Sequence, residues 1–319
     1  MDIRASIVDA IGNTPLVRLS RLHPPGNLVA KVEYVNPGGS IKDRIGLMMI
    51  EAAERAGKLE PGGTIVEPTS GNTGVGLAMV AAIKGYRLIC VMPDKMSQEK
   101  IDGLRAYGAE VHVAPTDVEP DDPRSYYSVA ARLVEEIPGA FSPNQYANDA
   151  NPESHYQSTG PEIWEQTDGT VGILVVGVGT GGTITGTARF LKEKNPGIEI
   201  VGVDPVGSIY TADSEDEVHT YLTEGVGEDF WPDTFDPDLV DRYIQVTDGA
   251  AYRMARNLAA TEGVLVGSSG GMSVVGALQV AEESPDQLVV VILPDSGRSY
   301  VSKVFNDEWM AEHGLLEAP

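Results

Sequence analysis

Asn36-Pro37-Gly38-Gly39-Ser40-Ile41-Lys42-Asp43-Arg44 is a loop of one proline and two glycines that runs into the start of a helix. Ser40 is of the type that caps a helix N-terminus, and apolar residues recur at helical spacing from 41 to 57. Lys42 is therefore expected in a first helical turn, an end that cations normally avoid. The partial positive charge there opposes an ammonium group and favours the neutral amine, the form that condenses with the aldehyde of a cofactor. The other reading of the same residues is a solvated lysine paired with Asp43.

Outward from this stretch, strands and helices alternate. Strands are expected at 28–35, 64–67, 87–92 and 110–114, with helices from about 73 and at 97–106. Proline clusters at 115–123 and 138–152 frame another helix, and a boundary is placed near 148. A second series follows: a helix after Pro152, a strand at 171–178, a helix at 183–195, a strand at 198–203, helices near 249–262 and 271–284, and a strand at 287–293. Such alternation predicts an α/β chain of two lobes, each a mostly parallel sheet flanked by helices. The rhythm breaks between 204 and 241. From Asp213 to Asp241 there are eleven acidic residues and no Lys or Arg, which reads as a solvated loop, but Tyr221, Leu222, Phe230, Trp231 and Phe235 within it predict that part of it packs down.

Composition narrows the function classes. At 319 residues and 42% hydrophobic content the chain can bury one or two cores. A formal net charge of −24 disfavours nucleic acid and anionic membrane as partners, since both demand a basic surface. No apolar run approaches the roughly 20 residues of a membrane span, and Met1 to Ala10 carries charges where a signal peptide has its apolar core, so a cytoplasmic protein is expected. Cys90 is the one cysteine and lies in an apolar strand, which excludes an internal disulfide and points to core packing. His23, His112, His155, His219 and His313 show no metal-ligand spacing, so no metal is expected, and no serine has the setting of a catalytic triad.

Three glycine-rich turns remain. Thr69-Ser70-Gly71-Asn72-Thr73-Gly74 follows a strand and opens a helix, so its N–H groups converge where an anion would bind; a well-capped turn with no ligand fits the same residues. Gly177, Gly179 and Gly182 have dinucleotide-fingerprint spacing, and Asp204 stands 22 residues further on, which alone would suggest a nicotinamide-linked oxidoreductase. The run Gly179-Thr180-Gly181-Gly182-Thr183 instead surrounds a nest of amides with hydroxyls, better suited to one terminal phosphate. Gly267-Ser268-Ser269-Gly270-Gly271 opens a further helix, for which Ser269 is also a plausible N-cap.

Taken together, NPGGSIKDR, EPTSGNTG, GTGGT and GSSGG resemble the cysteine synthase and cystathionine β-synthase family, fold-type II enzymes of the tryptophan synthase β kind that use pyridoxal 5′-phosphate (PLP). The resemblance implies that Lys42 carries PLP and is the catalytic base, that Gly179, Thr180, Gly181, Gly182 and Thr183 cup its phosphate, that Asn72 bonds its phenolic oxygen and that Ser269 faces its pyridine nitrogen. It implies further that Thr69, Ser70, Gly71, Asn72, Thr73 and Gln145 bind the substrate carboxylate and that Gly225 and Gly227 border the incoming thiol. Residues 39–148 would form a smaller, mobile substrate-binding lobe, and 149–319, with 1–38 packing on it, the larger cofactor lobe. Asp204-Pro205-Val206-Gly207-Ser208, Glu224 to Phe230, Leu293 to Tyr300 and Asn306 to Met310 look like the catalytic core of the cystathionine β-synthase branch. That branch condenses L-serine with homocysteine; the alternative is a cysteine synthase taking O-acetylserine or O-phosphoserine and sulfide. Small amino acids as substrates and a homodimer are implied. Glu228 stands where the branch often has an aromatic, which leaves the preferred thiol open. The span of the chain leaves no room for the branch's regulatory domain pair or its haem-binding extension, so neither form of control is expected.

Overall fold

Runs of Val, Ile and Leu interrupted by amphipathic stretches form the strands and helices of the computed structural model, which describes residues 3–69, 71–94, 96, 98–119 and 122–316. In chain order they are β1 (Leu16–Arg18), β2 (Leu28–Val32), α1 (Lys42–Arg55), β3 (Thr64–Pro68), α2 (Asn72–Lys84), β4 (Arg87–Pro93), α3 (Gln98–Ala106), β5 (Glu110–Ala114), α4 (Tyr126–Glu136) and α5 (Ala150–Ser154). After a π-helical turn at His155–Thr159 come α6 (Gly160–Gln166), β6 (Val171–Gly177), α7 (Gly182–Lys194), β7 (Glu199–Pro205), β8 (Arg242–Val246), α8 (Asp248–Glu262), α9 (Ser268–Glu283), β9 (Leu288–Leu293) and α10 (Asp307–Glu312). The chain divides into two compact units, Met1–Ile11 with Asn36–Ala150, and Gly12–Val35 with Asn151–Pro319.

The first unit is built on a parallel sheet in the order β3-β4-β5. Side chains on a strand alternate between its faces, and here both faces are buried. Cys90 and Met92 of β4 join Ile45, Met49 and Ile50 of α1 and Leu77 and Val80 of α2 in one cluster; Ile89 and Val91 meet Val66 and Ala130 of α4 in another. Residues 3–11 belong to this unit, with Val8 buried in the α1–α2 cluster, whereas the sequence reading grouped 1–38 with the other lobe.

The second unit carries a six-stranded sheet, β1-β2-β9-β6-β7-β8, parallel except where β1 runs against β2. Ile173, Val175, Val203, Val289 and Val291 pack against Ala251, Ala255, Val274 and Ala277 of α8 and α9. The alternate residues Leu174, Val176 and Ile200 are buried as well. Lys31 of β2 is fully buried, and its ammonium donates to Thr14 O at 2.7 Å, Glu162 Oε2 at 2.7 Å and Gln166 Oε1 at 2.8 Å, so all three of its protons are engaged.

Three local expectations are corrected. The strand predicted over 28–35 stops at Val32, and Glu33–Val35 is a 3-10 turn in which buried Glu33 accepts the Thr14 hydroxyl at 2.6 Å. Ser40 is not the residue next to the helix: Ile41 holds that position in helical geometry, and the Ser40 hydroxyl accepts the Lys42 N–H at 3.2 Å from one residue further back. β8 follows the acidic stretch where the alternation appeared to break.

Two helices of the first unit approach until their backbones touch. A Cβ on Gly76 of α2 would lie 2.7 Å from the Lys42 carbonyl oxygen and 3.2 Å from Asp43 Cα, and one on Gly46 of α1 would lie 2.8 Å from the Gly76 carbonyl carbon. Backbone cannot move aside as a side chain can, so Gly76→Ala must separate the helices. An overpacking cost of about 1–3 kcal/mol is expected, read as a lower urea midpoint with unchanged slope; an unchanged midpoint would show that the helices are not in contact there.

Candidate cofactor and substrate site

In the first unit the α1–α2 contact sets the first turn of α1, with Lys42, against Gly76 in the N-terminal part of α2. Asp43 is buried and its Oδ2 accepts the Gly38 N–H at 2.5 Å, so it is not a solvated partner of Lys42. The loop before α2 is tied at several points. Thr69 N–H donates to Val91 O at 3.0 Å, and its hydroxyl accepts the Gly74 N–H at 3.2 Å and the Gly71 N–H at 3.4 Å, so it serves as the side-chain cap at this end. Asn72 is the first residue of α2. Buried Thr73 donates its hydroxyl to Gln145 Oε1 at 2.7 Å, which brings the two carboxylate-loop candidates together across 72 residues of sequence. Ser70 lies outside the described residues.

In the second unit the turn after β6 exposes backbone N–H groups at the start of α7. Its outward groups are taken by other parts of the same unit. Tyr210 donates its hydroxyl to Gly179 O at 2.6 Å, Thr234 donates its own to Thr180 O at 2.6 Å, and Asn151 Nδ2 donates to Thr180 Oγ1 at 3.0 Å. Gly181 has φ of +78°, and a Cβ on it would overlap Phe235; a Cβ on Gly182 would overlap Asn151. The N-cap of α7, Gly181, has no side chain to offer, and of the first amides Gly182 N–H donates to Thr180 Oγ1 at 3.5 Å. The Thr183 hydroxyl lies 3.2 Å from His155 Nε2, and His155 Nδ1 lies 2.9 Å from Thr159 Oγ1. Gly227 donates its N–H to Val178 O at 2.7 Å, which ties the Gly225–Gly227 loop to the segment leading into the turn. Ser269 is buried at the second position of α9; the N-cap is Gly267, so a capping role for Ser269 is corrected.

Two further acids shape these regions. Asp204 is fully buried, with Oδ2 accepting the Thr211 hydroxyl at 2.8 Å, and burial raises its pKa to about 6. An acid so enclosed is not set to receive a ribose, which removes the second half of the dinucleotide fingerprint. Glu67, at the end of β3, accepts the backbone N–H of Asn144 at 3.0 Å and of Gln145 at 3.5 Å. Burial raises Glu67 to about 7 against the lowering effect of those bonds. Sequence reading missed the parts played by Glu67, Asn151, Tyr210 and Thr234. Glu67 was signalled by an acid inside an apolar strand next to the Thr69–Gly74 turn; the others contact Gly179 and Thr180 only through long-range folding.

The donor set suits one phosphate ester: amides of the turn and the hydroxyls of Thr180 and Thr183, with glycines at 179, 181 and 182 because a Cβ there would overlap Gly225 O, Phe235 and Asn151. A family model described as pyridoxal-phosphate dependent enzyme matches residues 7–295. The chain belongs to that family. Among curated proteins it is 52% identical to cystathionine beta-synthase of Oryctolagus cuniculus, over 99% of this chain and 59% of that protein. It is 44% identical to cystathionine beta-synthase of Saccharomyces cerevisiae, over 99% of this chain and 66% of that protein. The chain thus spans about three-fifths of the length of the curated relatives it matches. A solved structure of a hydrogen sulfide-producing enzyme from Fusobacterium nucleatum superposes with a TM-score of 0.88 at 38% identity, covering 94% of this chain and 99% of that one. The protein is a PLP-dependent enzyme with an α/β fold. Among the described residues no helix is long and apolar enough to cross a membrane.

Gly181→Ala adds both backbone strain and the overlap with Phe235, whereas Gly57→Ala places a Cβ at φ of +65° in open space. After dialysis, the Gly181 variant is expected to retain far less cofactor absorbance than wild type while the Gly57 control retains it. Equal retention in all three would show that the 179–183 turn does not hold the phosphate.

Proposed function

We propose that this chain joins L-serine to homocysteine by PLP-dependent β-replacement, giving cystathionine and water. The observation that carries the reading is the glycine contact of α1 and α2, which keeps the Lys42 turn and the Thr69–Thr73 loop as neighbours within one rigid unit. Identities of 52% and 44% to proteins named cystathionine beta-synthase support the choice of products.

Each group then has a task. Lys42 holds the cofactor, afterwards takes the Cα proton of serine, and is the proton donor to the departing β-hydroxyl. Thr69, Ser70, Gly71, Asn72, Thr73 and Gln145 bind the amino-acid carboxylate, and Asn72 also meets the cofactor's phenolic oxygen. Gly179 to Thr183 receive the phosphate. When bound, the cofactor supplies an electron sink for the Cα carbanion. Ser269 facing the pyridine nitrogen with a hydroxyl rather than a carboxylate moderates that sink, which favours loss of the β-substituent over transamination. Gly225 and Gly227 border the incoming second amino acid; a Cβ on Gly225 would meet nothing within 4 Å, whereas one on Gly227 would overlap Tyr221 and Pro205. We read the enzyme as a cytoplasmic homodimer acting on small amino acids.

A second reading has its own support. The Fusobacterium nucleatum relative is described as producing hydrogen sulfide, so sulfide release from cysteine is expected as a side reaction. The test is kcat/KM for homocysteine and for sulfide, with serine and O-acetylserine each as donor. Serine with homocysteine is expected to give the highest value. A strong preference for O-acetylserine with sulfide would replace cystathionine by cysteine as the product and leave the cofactor chemistry intact.

A further inference from the structure

Glu67 has no task of its own in the scheme above, yet its placement is costly. It is 1% exposed at the end of β3, its Cα in register with buried Cys90 on β4. An acid at this depth is disfavoured as an anion, and its pKa is raised to about 7 by burial. What it receives in return is specific. Oε2 accepts the Asn144 N–H at 3.0 Å and Oε1 the Gln145 N–H at 3.5 Å, so each oxygen holds one of two consecutive amides. The turn they belong to is strained, with Asn144 at φ of +48°, and Ala147 N–H and Asn148 N–H both donate to Asn144 O at 3.1 Å. The side chain displayed by this turn is Gln145, whose Oε1 accepts the Thr73 hydroxyl at 2.7 Å.

We propose that Glu67 is a positioning residue for amino-acid binding: its carboxylate clamps the Asn144–Gln145 turn so that Gln145 engages Thr73 and fixes the Thr69–Thr73 loop. The inference rests on the proposed reading of that loop as the substrate-carboxylate site. An ionised carboxylate is the matching acceptor, because a glutamine of the same shape turns an NH2 group toward one of the two amides. The clamp therefore acts on affinity for the amino acid and leaves the chemistry at Lys42 unaltered.

Three measurements on the cofactor-loaded protein test this. Amide exchange at Asn144 and Gln145 is expected to be slow in wild type and markedly faster in Glu67→Gln. Serine affinity, read from the change in cofactor absorbance, is expected to weaken by about tenfold, the size of one lost hydrogen bond, with KM raised to match and kcat nearly unchanged. Because Glu67 acts through Gln145, the double variant Glu67→Gln/Gln145→Ala should bind serine no worse than Gln145→Ala alone. Unchanged amide exchange, unchanged serine affinity, a fall in kcat at constant KM, or additive losses in the double variant would each overturn the proposal. Should wild type give no response to serine, the β-replacement reading fails, and the exchange measurement still decides whether the clamp exists.

Discussion

The contact of α1 with α2 at Gly46 and Gly76 is the constraint on which the proposed chemistry of the first unit depends. Helices at ordinary separation would leave side chains between the Lys42 turn and the start of α2. With glycine at both points, the Lys42 carbonyl lies against the α2 backbone and the position of the Lys42 backbone is set by helix packing rather than by a loop. The start of the same helix, α2, receives the Thr69 cap and the Thr73–Gln145 bond, and Glu67 holds the turn behind Gln145. One short region thus gathers a lysine, a capped loop and a buried acid, each held by a different bond to the same scaffold.

The second unit meets a different difficulty. A chain of net charge −24 must hold an anionic phosphate. In the site we propose, it does so with backbone N–H groups and hydroxyls of the 179–183 turn, whose dipoles act at short range whatever the distant surface charge. For those N–H groups to face inward, the carbonyls of the turn have to be satisfied outward, and Tyr210 and Thr234 do this at Gly179 and Thr180. Thr234 and Phe235 come from the acidic stretch. Its acids make it soluble, while its aromatics pack: Phe235 is buried and stacks on Trp231 at 5.7 Å between ring centres.

What could be read from the sequence divides along a physical line. Val171–Gly177 and Leu288–Leu293 are apolar throughout because both faces of their sheet are covered, so their positions were legible. Arg242–Val246 was not, since it starts with a charged residue, alternates with Gln245 and adjoins the acidic loop. The glycine turns at 71, 179–182 and 267 were legible because close backbone approach leaves a mark in the local sequence. Asn151 left none that local reading could use, since Thr180 is 29 residues away; Glu67 stood out as an acid in an apolar strand, but its partner Asn144, 77 residues on, did not. His155 was weighed only as a metal ligand, and its contacts to Thr159 and Thr183 emerged with the packing of the π-helical turn. Asp204 shows the opposite failure, a motif position filled correctly in sequence whose carboxylate the fold encloses.

The claim beneath all of this is that one lysine, held by the α1–α2 contact, carries the cofactor. Borohydride reduction of the purified holoenzyme, followed by digestion and mass mapping, identifies the modified residue directly. A cofactor mass fixed to the peptide containing Lys42, and absent from Lys42→Ala protein, is the predicted result; the same mass on any other lysine would contradict it.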